Sequence, residues 1–134
     1  MKFKLKMRRG ARALVMLIEV PDIALDEFAV CRCTPGDFTE ALRDAQSRVA
    51  LPAFLLGGDF AIAAAEHVLD LRGVIAWNAT GAVVAAASRL QVPLLLIGGS
   101  SALANAAPDA SRIIGLDDAA LVARLAARFI NVYA

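Results

Sequence analysis

The sequence predicts an α/β fold built on a mostly parallel β-sheet, and two observations support this. Four short apolar runs in the second half of the chain each end abruptly at small or helix-capping residues, and their starts lie about 20 residues apart, as in repeated strand–turn–helix units. In addition, 59% of the residues are hydrophobic and many of these are Ala, which suits helices packed closely on a sheet. We therefore expect residues 1–134 to form one compact Rossmann-like domain of three layers, with an N-terminal strand pair at the edge of the sheet.

Three strands are expected in the N-terminal third. Residues 2–7 alternate basic and apolar side chains, which is typical of an edge strand whose lysines deter aggregation. Residues 12–20 and 28–33 are the second and third strands, separated by a break at Pro21-Asp22. The first twelve residues include six basic residues and no acidic one, so a basic arm that meets an anionic surface or an acidic partner remains an alternative. Nucleic acid is not an expected partner, because no nucleic-acid-binding motif accompanies these charges.

The predicted helices each begin at a residue suited to capping. Thr34, followed by Pro35 and Asp37, predicts a helix over residues 38–48. The four apolar runs are strands at residues 53–56, 74–77, 94–97 and 112–114. The remaining helices are expected from Asp59 to about Leu71, from Asn78 or Thr80 to about Gln91, from Ser100 or Ser101 to about Ala107, and from Asp117 to about Asn131.

Three of the strand-to-helix turns form the predicted ligand site. The carboxyl ends of parallel strands meet at one edge of a sheet, where α/β folds bind ligands. Glycine lets the backbone approach a ligand, N–H groups at a helix start favour anions, and Ser or Thr hydroxyls add hydrogen bonds. We therefore expect a small anionic ligand, either a phosphorylated metabolite or a nucleotide, although turn architecture alone requires the same residue types. The candidate ligand-binding residues are Gly57, Gly58, Asp59, Asn78, Thr80, Gly81, Gly98, Gly99, Ser100 and Ser101.

The sequence assigns neither a catalytic residue nor a cofactor, and whether the protein is an enzyme stays open. It contains no Gly-x-Gly-x-x-Gly motif and no Gly-Lys-Ser/Thr phosphate loop. His67 is the sole histidine and falls in the middle of a predicted helix, away from the turns that would hold a substrate. Cys31 and Cys33 share one face of a strand, where two thiols supply only half of a tetrahedral zinc site, so a reduced structural pair is expected.

Trp77 and three acidic residues are further candidates for the site. Trp77 ends an apolar strand, and we expect it in the core with its indole N–H bonded to a carbonyl. The acids Asp109, Asp117 and Asp118 would bind a metal only if they converge, whereas helix capping accounts for Asp117 without one. No metal is therefore expected.

The distribution of charge predicts self-association. Between Arg72 and Asp109 the only charged residue is Arg89, so this stretch must be covered by protein, and a homo-oligomer interface is one way to cover it. A membrane span is not expected, because polar residues interrupt the apolar runs every few positions. The apolar run at residues 13–18 is shorter than the core of a signal peptide. We expect a cytoplasmic protein.

Residues 68–74, 78–81 and 94–98 together resemble STAS domains, the fold of anti-sigma-factor antagonists. Those domains have an LDL-type strand, an Asp-Ser-Ser/Thr-Gly loop and a later apolar strand. The resemblance implies a strand at residues 68–71 and a non-catalytic regulatory role through protein–protein contacts. Asn78 and Ala79 stand where that family has its Asp and its phosphorylated Ser, so the phosphorylation switch would be lost and only Thr80 would remain.

The same loop is also similar to a loop in the C-terminal domain of pyruvate kinase, where a Thr/Ser-rich segment after a strand binds a phosphorylated effector. This similarity implies that residues 78–81 form the effector loop and that residues 92–96 lead into the next strand. Two functions therefore remain open: binding of an anionic small molecule at the turns, and a non-catalytic regulatory or assembly role.

Overall fold

The structure of the protein is a computed structural model, which describes residues 3–21, 23–114 and 118–134. A seven-stranded sheet is formed by the described residues, in the order β1-β3-β2-β4-β5-β6-β7. All neighbouring strands are parallel except β1, which runs antiparallel to β3. The strands are β1 (Lys4–Lys6), β2 (Leu14–Ile18), β3 (Ala29–Cys33), β4 (Ala53–Gly57), β5 (Leu71–Trp77), β6 (Leu94–Ile97) and β7 (Ala110–Ile113).

Helices cover both faces of the sheet, as predicted. Helices α1 to α4 contribute side chains to a core on one face, whereas α5 and the segment at residues 23–28 cover the other face. Every residue of β2, β4 and β6 is buried, so these strands are apolar throughout, as expected of parallel strands packed on two sides. The helices are α1 (Phe38–Arg48), α2 (Asp59–Ala64), α3 (Val84–Ser88), α4 (Ser101–Ala106) and α5 (Ala119–Tyr133).

The chain reverses its direction of travel across the sheet between β2 and β4. From β2 it passes to β3 on one side, whereas from β4 it passes to β5 on the other side. Such a reversal leaves a crevice outside the carboxyl ends of the two strands, and open α/β sheets bind their ligands there. We call this place the β2–β4 crevice; the residues that follow the two strands there are Glu19 after β2, and Gly58 and Asp59 after β4.

The predicted fold class is confirmed, and the pairing of the N-terminal strands needs a correction. The N-terminal strands that form the edge pair are β1 and β3, because β2 lies between β3 and β4. The burial of these strands explains the order. All five residues of β2 are buried, whereas β1 exposes both of its lysines, so only β1 suits the edge.

Two predicted helices are shorter than expected. The helix predicted to reach Leu71 ends at Ala64, followed by a 3₁₀ turn at Ala65–His67, because β5 already begins at Leu71. The helix predicted to reach Gln91 is reduced to a 3₁₀ turn at Gly81–Val83 and α3. The strand that the STAS resemblance implies at residues 68–71 is also absent, since β5 includes only Leu71 of these residues.

No helix within the described ranges has the length and apolar character needed to cross a membrane. Terminal helix α5, with 15 residues, is the longest of them. Its buried side chains lie on one face, at Val122, Ala123, Ala126 and Ile130, so α5 is an amphipathic helix packed on the sheet.

Candidate functional site

The three glycine-rich turns lie side by side at the carboxyl edge of the sheet, because β4, β5 and β6 are neighbours. Direct hydrogen bonds join the turns. The carboxylate of Asp59 accepts from both the backbone N–H and the hydroxyl of Thr80, each at 2.6 Å. The backbone N–H of Ser100 donates to the carbonyl of Ala79 at 2.9 Å. The turns therefore form one connected network.

Asp59 does not cap α2, contrary to the sequence prediction. The N-cap residue is Gly58, and no side chain caps the helix. The carboxylate is directed to Thr80 on the neighbouring turn instead. Two of the other predicted caps form: the hydroxyl of Thr80 accepts from Ala82 N–H and that of Ser100 accepts from Ala102 N–H, both at 3.2 Å. Thr34 precedes the 3₁₀ turn before α1, but its side chain makes no capping bond and its hydroxyl donates to the carboxylate of Asp37 instead.

Gly98 and Gly99 are required by the packing of the turns. Both have a left-handed backbone, with φ of 67° and 74°, which glycine adopts without a steric penalty. A Cβ on Gly98 would lie 2.5 Å from Oδ1 of Asn78, and one on Gly99 would overlap the backbone of Ala79. These two glycines therefore have a structural explanation that needs no ligand.

Glu19 is the residue of the β2–β4 crevice that the sequence prediction missed, whereas Gly57, Gly58 and Asp59 were among its candidates. Gly57 packs so closely on β2 that a Cβ there would lie 3.0 Å from the carbonyl oxygen of Ile18. Glu19, which follows Ile18, is exposed and has a left-handed φ of 52°. Its N–H donates to the carbonyl of Cys33 at 3.0 Å. An acid directly after an apolar run was the only sequence signal for this position.

The carboxyl edge of the sheet is negatively charged at the β2–β4 crevice. Glu19 and Asp59 place two carboxylates at the ends of adjacent strands. The side chain of Arg112, further along the edge, donates to the carbonyl of Gly99 at 3.0 Å. Asp118 caps α5 by accepting from Ala120 N–H at 2.9 Å.

Several residues singled out in the sequence lie away from the turns or in an unexpected environment. The side chain of His67 is 77% exposed beside Glu66 and precedes β5, so it lies near the opposite, amino edge. Trp77 is half-buried, and its indole nitrogen has no hydrogen-bond partner among the described residues, so the expected bond to a carbonyl is absent.

The predicted acidic residues do not converge. Asp109 precedes β7 and Asp118 follows it, which places them at opposite edges of the sheet, while Asp117 lies outside the described residues. No group of three or more His, Cys, Asp or Glu side chains suited to a metal occurs in the part of the chain that the structure describes.

Cys31 and Cys33 are free and buried on the face covered by α1. Burial, with a smaller contribution from Asp44, raises the pKa of Cys31 to about 11. Burial also raises the pKa of Cys33 to about 12, with smaller contributions from Cys31 and Asp37. Both thiols are therefore protonated and unreactive at neutral pH.

Two cavities lie elsewhere, and neither is lined by the predicted ligand residues. A groove of about 800 Å³ at the amino edge runs between α2 and α3 and is crossed by an ion pair of Arg89 with Glu66 at 3.5 Å. A smaller cavity of about 110 Å³ lies beside β1 and β3.

Comparison with known proteins supports the fold alone. No family model matches the chain, and no curated protein matches it either. The chain is similar in structure to the esterase domain from a Rhodothermus marinus protein, with a TM-score of 0.77 and 16% identity over 96% of this chain and 91% of that one. It is also similar to AbyA5, with a TM-score of 0.64 and 14% identity over 91% of this chain, which spans only 62% of AbyA5.

Proposed function

We propose that the protein binds a small molecule rich in hydroxyl or amino groups in the β2–β4 crevice. The observation that carries the proposal is the position of Glu19, which holds an exposed carboxylate on a left-handed backbone where the strand order reverses. The exposed carboxylate of Glu19 supplies acceptors, so the matching ligand supplies donors. The negative charge of Asp59 lies nearby, although both oxygens of its carboxylate already accept from Thr80.

Backbone strain supports this position. A left-handed backbone is unfavourable for a residue with a Cβ, and such residues are concentrated at functional sites. Asp70 at the amino edge and Asn78 after β5 have similar φ angles of 56° and 57°, so strain alone does not identify a site. Glu19 differs from both because it follows a strand at which the strand order reverses, which is where open α/β sheets bind ligands.

Three of the donors that the sequence offers to an anion are already used within these turns. The N–H and hydroxyl of Thr80 already donate to Asp59, and the N–H of Ser100 donates to Ala79. An anion would also lie near the carboxylates of the crevice, which repel it. A neutral or cationic ligand fits the crevice better.

Binding is favoured over ester hydrolysis, although one structural neighbour is described as an esterase domain. In α/β-hydrolases a Gly-x-Ser-x-Gly turn between strand and helix carries the nucleophile, and the acid and His follow it in the chain. The corresponding turn after β4 reads Gly57-Gly58-Asp59-Phe60-Ala61, without Ser. The sole histidine, His67, lies near the opposite edge. A nucleophile–histidine pair is therefore not assembled at this turn.

A thermal-shift screen tests this function. Ribose, glucosamine and putrescine are the probes, because together they sample hydroxyl and amino donors. At least one of these probes should raise the melting temperature by mass action. Glu19→Gln should reduce the rise in melting temperature that this probe causes. Asp70→Asn, which changes the matched residue at the amino edge, should leave that rise unchanged. A flat screen, or equal loss in the two variants, would refute binding at the crevice.

Activity measurements separate binding from hydrolysis. The unmodified protein should hydrolyse p-nitrophenyl acetate no faster than the Asp59→Asn variant does. Saturable turnover that is lost in this variant would instead assign Asp59 to catalysis.

Self-association is the second candidate function, and the unequal edges of the sheet favour it. Lys4 and Lys6 protect the β1 edge. At the other edge β7 pairs only with β6 among the described strands, and Ile114, just beyond it, is 69% exposed. Light scattering should detect a dimer that Ile114→Asp dissociates. A monomer at all concentrations would exclude this candidate.

A further inference from the structure

We propose a second binding site, for a phosphate-type anion, in the cavity beside β1 and β3. The cavity has a volume of about 110 Å³. Because a water molecule occupies roughly 30 Å³ in the liquid, this volume accommodates one phosphate group. The charged residues that line it are Lys6, Arg8, Arg32 and Asp26.

The register of the sheet brings these cations together. In the antiparallel pair of β1 with β3, Lys4 lies opposite Arg32 and Lys6 lies opposite Val30. Leu5 between them packs against the core on the α1 side, so alternation places both lysines on the other face. Val30 and Phe28 belong to the core on that face and form the apolar floor of the cavity.

The cations that line this cavity outnumber its carboxylate, Asp26. Among the described residues Lys6 and Arg8 have no ion-pair partner. By contrast, Arg72 is paired with Asp70 at 3.5 Å. An anion between Lys6 and Arg8 would reduce the mutual repulsion of the cations and satisfy their donors.

The size of the site favours a small anion over a membrane surface or a polymer. The cavity is bounded on one side by β1, which is only three residues long, and on another by Ile23 and Leu25. The volume of about 110 Å³ between these walls suits a single phosphate-sized group. The ligand is therefore inorganic phosphate or a phosphomonoester, and the site is separate from the β2–β4 crevice.

The test is a calorimetric titration of the full chain with inorganic phosphate and with glycerol 3-phosphate. Both should bind, because they share the phosphate group. Lys6→Gln and Arg8→Gln should each raise the dissociation constant by about tenfold or more. Arg9→Gln is the matched control, since Arg9 is exposed but does not line the cavity, and it should leave the constant within about twofold. Each of the three variants removes one positive charge. A difference in dissociation constant between the two cavity variants and Arg9→Gln therefore reports on the cavity and not on the net charge.

Amide chemical shifts provide a second measurement that does not depend on the variants. Phosphate should shift the resonances of Phe28 and Val30 and leave those of Gly58 and Thr80 unchanged. The absence of saturable binding, or equal weakening by all three substitutions, would overturn the proposal. So would binding to vesicles containing phosphatidylglycerol without binding of free phosphate. None of these outcomes bears on the crevice, whose probes carry no phosphate.

Discussion

Replacing Glu19 with Gly is expected to stabilise the fold. Glu19 has a φ of 52° directly after β2, and a left-handed backbone costs an L-residue with a Cβ roughly 1–2 kcal/mol. Glycine adopts this conformation without that cost, but it loses about 0.5–1 kcal/mol more backbone entropy on folding. The substitution keeps the backbone hydrogen bond to Cys33. The free energy of unfolding should therefore rise by about 0.5–1 kcal/mol.

Urea and thermal unfolding measure this change. For a protein of 134 residues, the gain corresponds to a rise in melting temperature of about 2–3 °C. Glu19→Ala is the matched control, because it removes the carboxylate but retains the left-handed strain, and it should leave stability almost unchanged. If Glu19→Gly is no more stable than Glu19→Ala, the position is not strained. If Glu19→Gly also retains full ligand binding, Glu19 does not contribute to the site.

Three further predictions concern other parts of the molecule. Thr80→Val should lower the free energy of unfolding by about 1 kcal/mol in urea, because the hydroxyl loses its 2.6 Å bond to the carboxylate at the start of α2; unchanged stability would argue against that bond. Gly73→Ala should cost about 2 kcal/mol or more by the same measurement, because its Cβ would lie 2.7 Å from the ring of Phe129; a smaller loss would mean that the ring moves aside. Burial holds the pKa of Cys31 at about 11 and that of Cys33 at about 12, whereas an unfolded thiol titrates near 8.5. The unfolded state therefore binds fewer protons above about pH 9, and stability should fall as the pH rises from there. Replacing both cysteines with Ala should make the melting temperature less dependent on pH between pH 8 and 10.5. An unchanged dependence would show that the two thiols do not cause the loss of stability.

Local signals predicted the buried strands and most helix starts. The apolar runs at residues 53–56 and 94–97 became β4 and β6 almost without change, because a strand buried on both faces is apolar throughout. Thr34, Pro35 and Asp37 correctly predicted where helical structure begins before α1. These signals depend on residues close together in the chain.

The errors arose where distant residues decide the structure. The chain after Ala64 remains compatible with a helix, but β5 must extend over seven residues and pairs with both β4 and β6, which ends α2 early. The pairing of β1 with β3 likewise depends on which strand can be buried, and no local pattern encodes it. Tertiary contacts override local propensity in both cases.

The candidate site was only partly predictable for the same reason. The turns are adjacent because β4, β5 and β6 are neighbours, an order that the sequence left open. The partner of Asp59 depends in turn on how closely α2 approaches the next turn. Glu19 could not be predicted, because glutamate has no preference for a left-handed backbone and only the surrounding structure imposes it. Trp77 was placed correctly near the core, yet its missing acceptor depends on the packing around the ring.

Amide chemical-shift mapping tests the central claim most directly. A ¹⁵N-labelled sample is titrated with whichever of ribose, glucosamine and putrescine gives the largest thermal shift. Saturable shifts are expected to cluster at Glu19, Gly58 and Thr80, and the resonances of Leu71 and Leu90 in the amino-edge groove should not change. Shifts concentrated in that groove, or no saturable shift with any of the three probes, would contradict a ligand site at the carboxyl ends of β2 and β4.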